Sequence, residues 1–141
     1  MWCEQFQNRA YITQTWDTYM DEWEFPIRPA RPPLQSVSFI KYTDYSGTQI
    51  TWSSSNYLVD TITDPGRITL ASDTDIPNTS LQPMNGIQVR YVTGYGTASD
   101  VPASVKLAIK MMIAHRFENP ETDWIPEAIK WLLMADRVVP I

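Results

Sequence analysis

The stretch IQVRYVTGYGTASDVPASVKLAIKMMIAHRFENP, residues 87–120, decides the fold, because one class of element gives way to another inside it. Ile87 to Thr93 reads as a short strand bounded by turn residues. Gly94-Tyr95-Gly96 closes it as a turn. With no third glycine and no Lys before the helix, it is not a phosphate loop. Pro102 suits the first turn of a helix that runs to about Glu118 and ends before Asn119-Pro120. Val105, Leu107, Ala108, Ile109, Met111, Met112, Ile113, Ala114 and Phe117 spread apolar side chains round most of its circumference, leaving Lys106, Lys110 and the His115-Arg116-Glu118 end to water. Such a helix needs cover on two or more sides.

Working outward, a second helix starts after Trp124-Ile125-Pro126, with Ile129, Trp131, Leu132 and Leu133 on its apolar side, and ends near Asp136-Arg137. Upstream, Tyr11 to Trp23 reads as a long strand of the Thr, Trp and Tyr that a pleated surface favours. Pro26, Pro29, Pro32 and Pro33 stop it, and residues 28–33 form an extended proline connector. It contains a PxxP, which reads as a rigid spacer between strands before it reads as an SH3 ligand. Leu34 to Tyr42 is a strand, Asp44-Tyr45-Ser46-Gly47 a turn with Gly47 at positive φ, and Thr48 to Trp52 the return. Tyr57 to Ile62 and Arg67 to Ala71 are further strands, followed by a polar stretch from Ser72 to Gly86. Trp2 to Asn8 reads as the tail of a helix, Trp2, Cys3 and Phe6 on one face and Glu4, Gln5, Gln7 and Asn8 opposite. Seven residues do not hold a helix alone, so this segment either docks on the body or continues upstream of Met1. The expected class is α+β: a small helical bundle, the N-terminal helix remnant plus two C-terminal helices, carrying a mostly antiparallel β insertion. Two helices and one sheet do not enclose this much apolar area, so a further helix, from upstream or from another subunit, is expected.

The 141 residues allow one domain, divided as a 1–10 helix remnant, an 11–96 β-rich insertion and 97–141 C-terminal helices and tail. Hydrophobic residues are 43%, which excludes a wholly disordered chain. Charged residues are only 19% and aromatics 12%, the composition of a surface that other proteins cover, or of a monomer with a rich core. The net charge is −5, and residues 1–100 hold 11 acidic side chains against 6 basic ones. No run of Lys and Arg exists, so tight nucleic-acid binding is not expected. No apolar stretch approaches the ~20 residues of a membrane span, and no signal peptide is visible. Cys3, the single cysteine, reads as a reduced thiol.

Nothing reads as a catalytic constellation or a cofactor site. His115 is the one histidine and Cys3 the one thiol, too few for a zinc site, and a helix-terminal histidine is favourable against the helix dipole. No G-x-S-x-G elbow exists, and Ser53-Ser54-Ser55 reads as a loop. Asp73, Asp75, Glu118 and Glu121 lie in polar loops. Trp16, Trp23 and Trp52 read as strand-core packing, with a ligand platform as the other reading.

Ala10-Tyr11-Ile12-Thr13-Gln14-Thr15-Trp16, Pro33-Leu34-Gln35-Ser36-Val37, Val89 to Gly96, Val101-Pro102, Ala108-Ile109, Ala114 to Asn119 and Ile125-Pro126 through Leu132-Leu133 to Arg137-Val138 occur in an informative order. In that order they resemble the small gp6-like head–tail connector (adaptor) proteins of tailed phages and prophages, over residues 9–139. Family members begin with two helices before the first strand. Here only the last turns of the second remain, and ring assembly depends on whether the natural chain extends upstream of Met1. The resemblance implies a structural virion protein rather than an enzyme, in a ring typically of twelve subunits under the portal, extending the DNA channel and meeting a downstream stopper or tail-completion protein. DNA passes without specific binding. The location implied is the virion neck, with host cytoplasm before assembly. The C-terminal segment engages the portal in related connectors, so Arg137, Val138, Val139, Pro140 and Ile141 are the first candidate contacts, unless the tail folds back on its own domain. Asp44, Tyr45, Ser46 and Gly47, with the 72–86 loop, are the second, toward the downstream protein or a neighbouring subunit. Another neck component such as a stopper, an aromatic-surface binding module and a small hydrolase are the alternatives.

Overall fold

The computed structural model describes residues 2–121 and 124–138, and proline sets two of its helix starts. Pro102 and Pro126, with φ of −53° and −57°, immediately precede α2 (Ala103–Glu118) and α3 (Glu127–Met134). A proline there forfeits only an N–H that has no intrahelical acceptor anyway. The remaining elements, in chain order, are α1 (Trp2–Gln7), β1 (Gln14–Met20), β2 (Leu34–Thr43), β3 (Gln49–Trp52), β4 (Tyr57–Asp60), β5 (Arg67–Leu70) and β6 (Ile87–Thr93). The class is α+β.

The strands divide into a four-stranded sheet of order β1-β6-β2-β3 and a separate β4-β5 hairpin, every ladder antiparallel. β6 is central, and Ile87, Val89, Tyr91 and Thr93 all bury while the intervening residues stay half exposed. β2 carries register shifts at Leu34/Ser36 and Val37/Phe39. Two shifts restore parity, so Leu34 and Ile40 both reach the core. The expected strand from Tyr11 to Trp23 is shorter than its composition implies. Its leading residues bond to the turn instead: Tyr95 N–H donates to Tyr11 C=O at 2.8 Å and Thr13 N–H to Gly96 C=O at 3.0 Å. At the far end Asp21 accepts from the Asn85 N–H, and Trp23 turns into an aromatic cluster.

Two hydrophobic clusters result. In the first, the hairpin packs on the sheet through Tyr57 and Ile68 against Ile40, Ile87 and Val89, and an isolated bridge ties Ile27 to Ile68. Trp23 and Trp52 belong here, their ring centroids 4.8 Å apart, whereas Trp16 lies outside beneath the Arg31 guanidinium. The proline connector is not a free spacer. Pro29 and Pro32 are buried, and the Pro32 and Pro33 carbonyls accept from Ala10 N–H and Gly94 N–H. The PxxP is therefore not displayed.

The second cluster gathers Cys3 and Tyr11 against Val101, Val105, Ala108 and Met112 of the α2 region and Ile125, Ile129 and Leu133 of the α3 region. Of the apolar residues round α2 only Val105, Ala108 and Met112 are buried, so the predicted shortage of cover is real in this structure. Two sequence assignments reverse. Trp131 is 71% exposed, because the buried stripe of α3 is Ile129 and Leu133, and a residue two from each points away. Gln7, read as water-facing, is fully buried.

Candidate functional site

The first candidate surface is the C-terminal end, and the chain's first turns hold it. Asn8 ends α1 in the left-handed region at φ 57°. Asn8 N–H donates to Gln5 C=O and Arg9 N–H to Glu4 C=O, the paired bonds of a Schellman ending. That turn aims three successive side chains at the end of α3. Gln7 Nε2 donates to Leu133 C=O at 2.9 Å, and Gln7 Oε1 accepts from the Tyr11 hydroxyl at 2.6 Å. Asn8 Nδ2 donates to Val138 C=O at 2.6 Å, and Arg9 Nε to Asp136 C=O at 2.6 Å. Val138 N–H returns a bond to Gln7 C=O at 2.8 Å, and the Arg137 guanidinium lies 4.8 Å above the Phe6 ring. Arg9 also pairs with Asp64 at 2.8 Å, joining the helical layer to the β4–β5 turn. Arg137 and Val138 are thus seated against α1, while Val139, Pro140 and Ile141 lie outside the described residues. The clamp was not legible, since Gln7 and Leu133 are 126 residues apart.

The second candidate is one surface assembled from two parts that the sequence offers separately. Asp44 Oδ1 accepts from the Ser46 hydroxyl, the Ser46 N–H and the Thr48 N–H at 2.6, 3.0 and 2.9 Å. The Ser46 hydroxyl first, and then the Thr48 N–H, holds the Asp44 carboxyl below the usual carboxylate range. Gly47 supplies φ 91°, and Tyr45 projects 79% exposed. Alongside, Leu81 bridges to Asp44, Tyr45 N–H donates to Ser80 C=O, and Gln82 N–H donates to Thr43 C=O. The tip of the β2–β3 hairpin and the 80–82 segment therefore form one braced edge.

A third surface was only half legible. Against α1, the flank of α2 leaves an apolar groove of about 270 Å³ between Trp2, Cys3, Ile109, Met112, Ile113 and Arg116. A second hollow of about 460 Å³ continues past Ile109 to Tyr11 and Ile12. Farther out, Ile113 and Phe117 are exposed on α2, and Trp131 and Met134 on α3. The missing clue was the outward turn of Trp131.

The residues weighed for chemistry stay apart. His115 Nε2 bonds to the Trp124 carbonyl at 2.8 Å, with its ring edge-on to that indole. Cys3 is buried with its sulfur 3.7 Å from Met112 Sδ, and burial raises its pKa, the setting of an unreactive thiol. Asp73, Asp75, Glu118 and Glu121 are exposed. Among the described residues no group of three or more His, Cys, Asp or Glu is placed to hold a metal ion, and no helix is long and apolar enough to cross a membrane.

No protein-family model and no curated protein matches the chain. Solved structures do resemble it. A chain of the neck of a native GTA particle computed with C12 symmetry is 15% identical, with a TM-score of 0.77 covering 99% of this chain and 77% of that one. A chain of the virion of a native gene transfer agent (GTA) particle is 14% identical, with a TM-score of 0.78 over 99% of this chain and 72% of that one. A chain of the neck of an empty GTA particle computed with C6 symmetry is 15% identical, with a TM-score of 0.75 and the same coverage of 99% and 72%. At such identity what is shared is the fold, and the architecture described above is that of chains found in a particle neck.

Proposed function

We propose that the chain is an adaptor subunit of the neck of a tailed phage, prophage or phage-like particle. Copies form a ring between the portal and the downstream neck or tail protein and extend the DNA channel. The observation that carries this reading is the likeness to a neck chain over 99% of the length at a TM-score of 0.77. Helical layer, sheet and hairpin all take part in a match of that extent. The neighbours' C12 and C6 symmetries support a ring, with twelve copies as the proposed number. Residues 1–141 act as a single connector domain, in the virion neck after assembly and in host cytoplasm before it. DNA passes without specific binding, because the acidic excess of residues 1–100 opposes phosphate. Arg9, Arg67 and Arg90 there are each engaged by an aspartate.

Quantitative peptide mass spectrometry on purified particles tests the reading. About one copy of this chain per portal subunit is the expected result, and absence from intact particles overturns it.

Portal contact falls to the tail from Arg137 to Ile141, of which Arg137 and Val138 are seated against α1. The edge of Asp44 to Gly47 and residues 80–82 falls to the downstream protein or a neighbouring subunit. Deleting residues 139–141 is expected to abolish portal binding while the bonds of Gln7, Asn8 and Arg9 to Leu133, Val138 and Asp136 stay in place and the domain remains folded. Undiminished portal binding by the shortened chain sinks the tail assignment.

A further inference from the structure

The β4–β5 hairpin is held at its base, where Ile68 bridges to Ile27 and Tyr57 packs in the sheet core. Its turn is held differently. Residues 61–64 are exposed, Ile62 at 97%, and among the described residues Asp64 bonds through its carboxylate to Arg9 alone. Arg9 Nη1 donates to Asp64 Oδ1 at 3.1 Å, and Nη2 lies 2.8 Å from Oδ2. Such a two-pronged pairing fixes a guanidinium in orientation as well as in place. With both Nη atoms engaged, Nε is left aimed at the Asp136 carbonyl, 2.6 Å away.

The two halves of the pair differ in burial. The Arg9 side chain is 8% exposed and that of Asp64 48%. Burial disfavours the charge on Arg9, and the bond to Asp64, with the fields of Tyr95, Asp64 and Asp136, keeps it charged. A buried cation stripped of its bonded counter-charge is driven toward water. The acid that prevents this faces solvent on a bare turn, where a docking protein reaches it. Arg9 therefore links two places on the surface: the exposed turn and the residues that follow α3.

We propose that Asp64 is the release catch of the C-terminal tail. When a basic side chain of a docking protein takes the Asp64 carboxylate, Arg9 swings outward and lets go of Asp136, and Arg137 and Val138 leave their seat on α1. That seat is slight enough to be governed in this way. Past Asp136 it consists of two bonds between Val138 and residues 7–8 and the Arg137 guanidinium over Phe6. Asp64 is a positioning residue, acting on the tail through Arg9. The device rests on the portal role proposed above for its purpose: it would offer the tail only where the turn is already occupied.

Hydrogen exchange read by mass spectrometry on the full-length protein tests it, because the Val138 N–H is bonded to Gln7 C=O in the seated state. Asp64→Asn keeps the size of the side chain and removes its charge. The peptide carrying Val138 is expected to exchange about tenfold faster in this variant, with the β6 amides unchanged. Asp17→Asn makes the same loss opposite Arg90 on the sheet and should leave the tail as it was. Asp64→Glu, which keeps the charge and displaces it, should quicken the tail less than Asp64→Asn. Arg9→Lys cannot span both partners and should quicken the tail by itself, after which adding Asp64→Asn should change little. Unchanged tail exchange in Asp64→Asn, equal quickening of the β6 amides, or full additivity in the Arg9→Lys background overturns the proposal. The measurement needs no particle, so the two readings fail separately. Absence of the chain from particles removes the neck and leaves the catch standing, while a tail indifferent to Asp64 removes the catch and leaves the neck.

Discussion

Gln7→Ala is expected to lower the free energy of unfolding by about 2–4 kcal/mol, far more than an ordinary glutamine-to-alanine change on a helix. The side chain is fully buried and spans two partners, donating to Leu133 C=O and accepting from the Tyr11 hydroxyl. Removing it leaves both partners beneath protein without the bond they had, and each such loss costs about 1–3 kcal/mol. Gln5, two residues earlier and exposed, is the matched control, and Gln5→Ala should change stability by less than about 0.5 kcal/mol. Urea unfolding of the two variants decides it. Equal midpoints would mean that Gln7 is not what holds α1 to the end of α3. Gln7→Glu tests the chemistry further: it keeps the length but loses the donor to Leu133, and should be at least as destabilising at neutral pH.

Gly94→Ala should cost about 3–5 kcal/mol, from two sources that add. The backbone there has φ 114°, which a side chain tolerates poorly, and an added Cβ would sit 2.5 Å from Ile12 O and 2.9 Å from Thr13 N. Those are main-chain atoms of the segment leading into β1, so relief requires moving the whole segment. Gly47→Ala separates the two contributions. It has φ 91° but nothing within 4 Å of the added Cβ, so only the backbone cost of about 1–2 kcal/mol applies. Thermal or urea unfolding of both reads the difference. Comparable losses would show that the approach of residues 12–13 to the turn is loose.

Much of the architecture was legible because its signals are local. The strand from Ile87 to Thr93 and the helices opened by Pro102 and Pro126 follow from alternation and proline geometry, and they stand as expected. The Asp44-to-Gly47 turn was legible for the same reason, its side-chain bonds reaching no more than four residues. What failed depends on distant partners. Gln7 reads as polar and therefore wet until the end of α3 arrives to bond it. Trp131 reads as core by its size, yet the neighbours that claim α3 select Ile129 and Leu133. The division of six strands into a sheet and a separate hairpin was not visible, because strand composition does not encode which edges pair. Of the candidate surfaces, the tail and the hairpin tip were named from sequence. Their actual settings, one clamped to α1 through Val138 and one braced by residues 80–82, are long-range pairings.

The Gln7–Leu133 bond also sets a timetable for synthesis. Its two ends are separated by 126 residues, so at ribosomal speeds roughly 6–25 s pass between the emergence of one and of the other. During that interval α1, six residues long, is too short to persist alone. The four-stranded sheet has all its strands by Thr93, whereas the helical layer has all its bonding partners only once Val138 has been made.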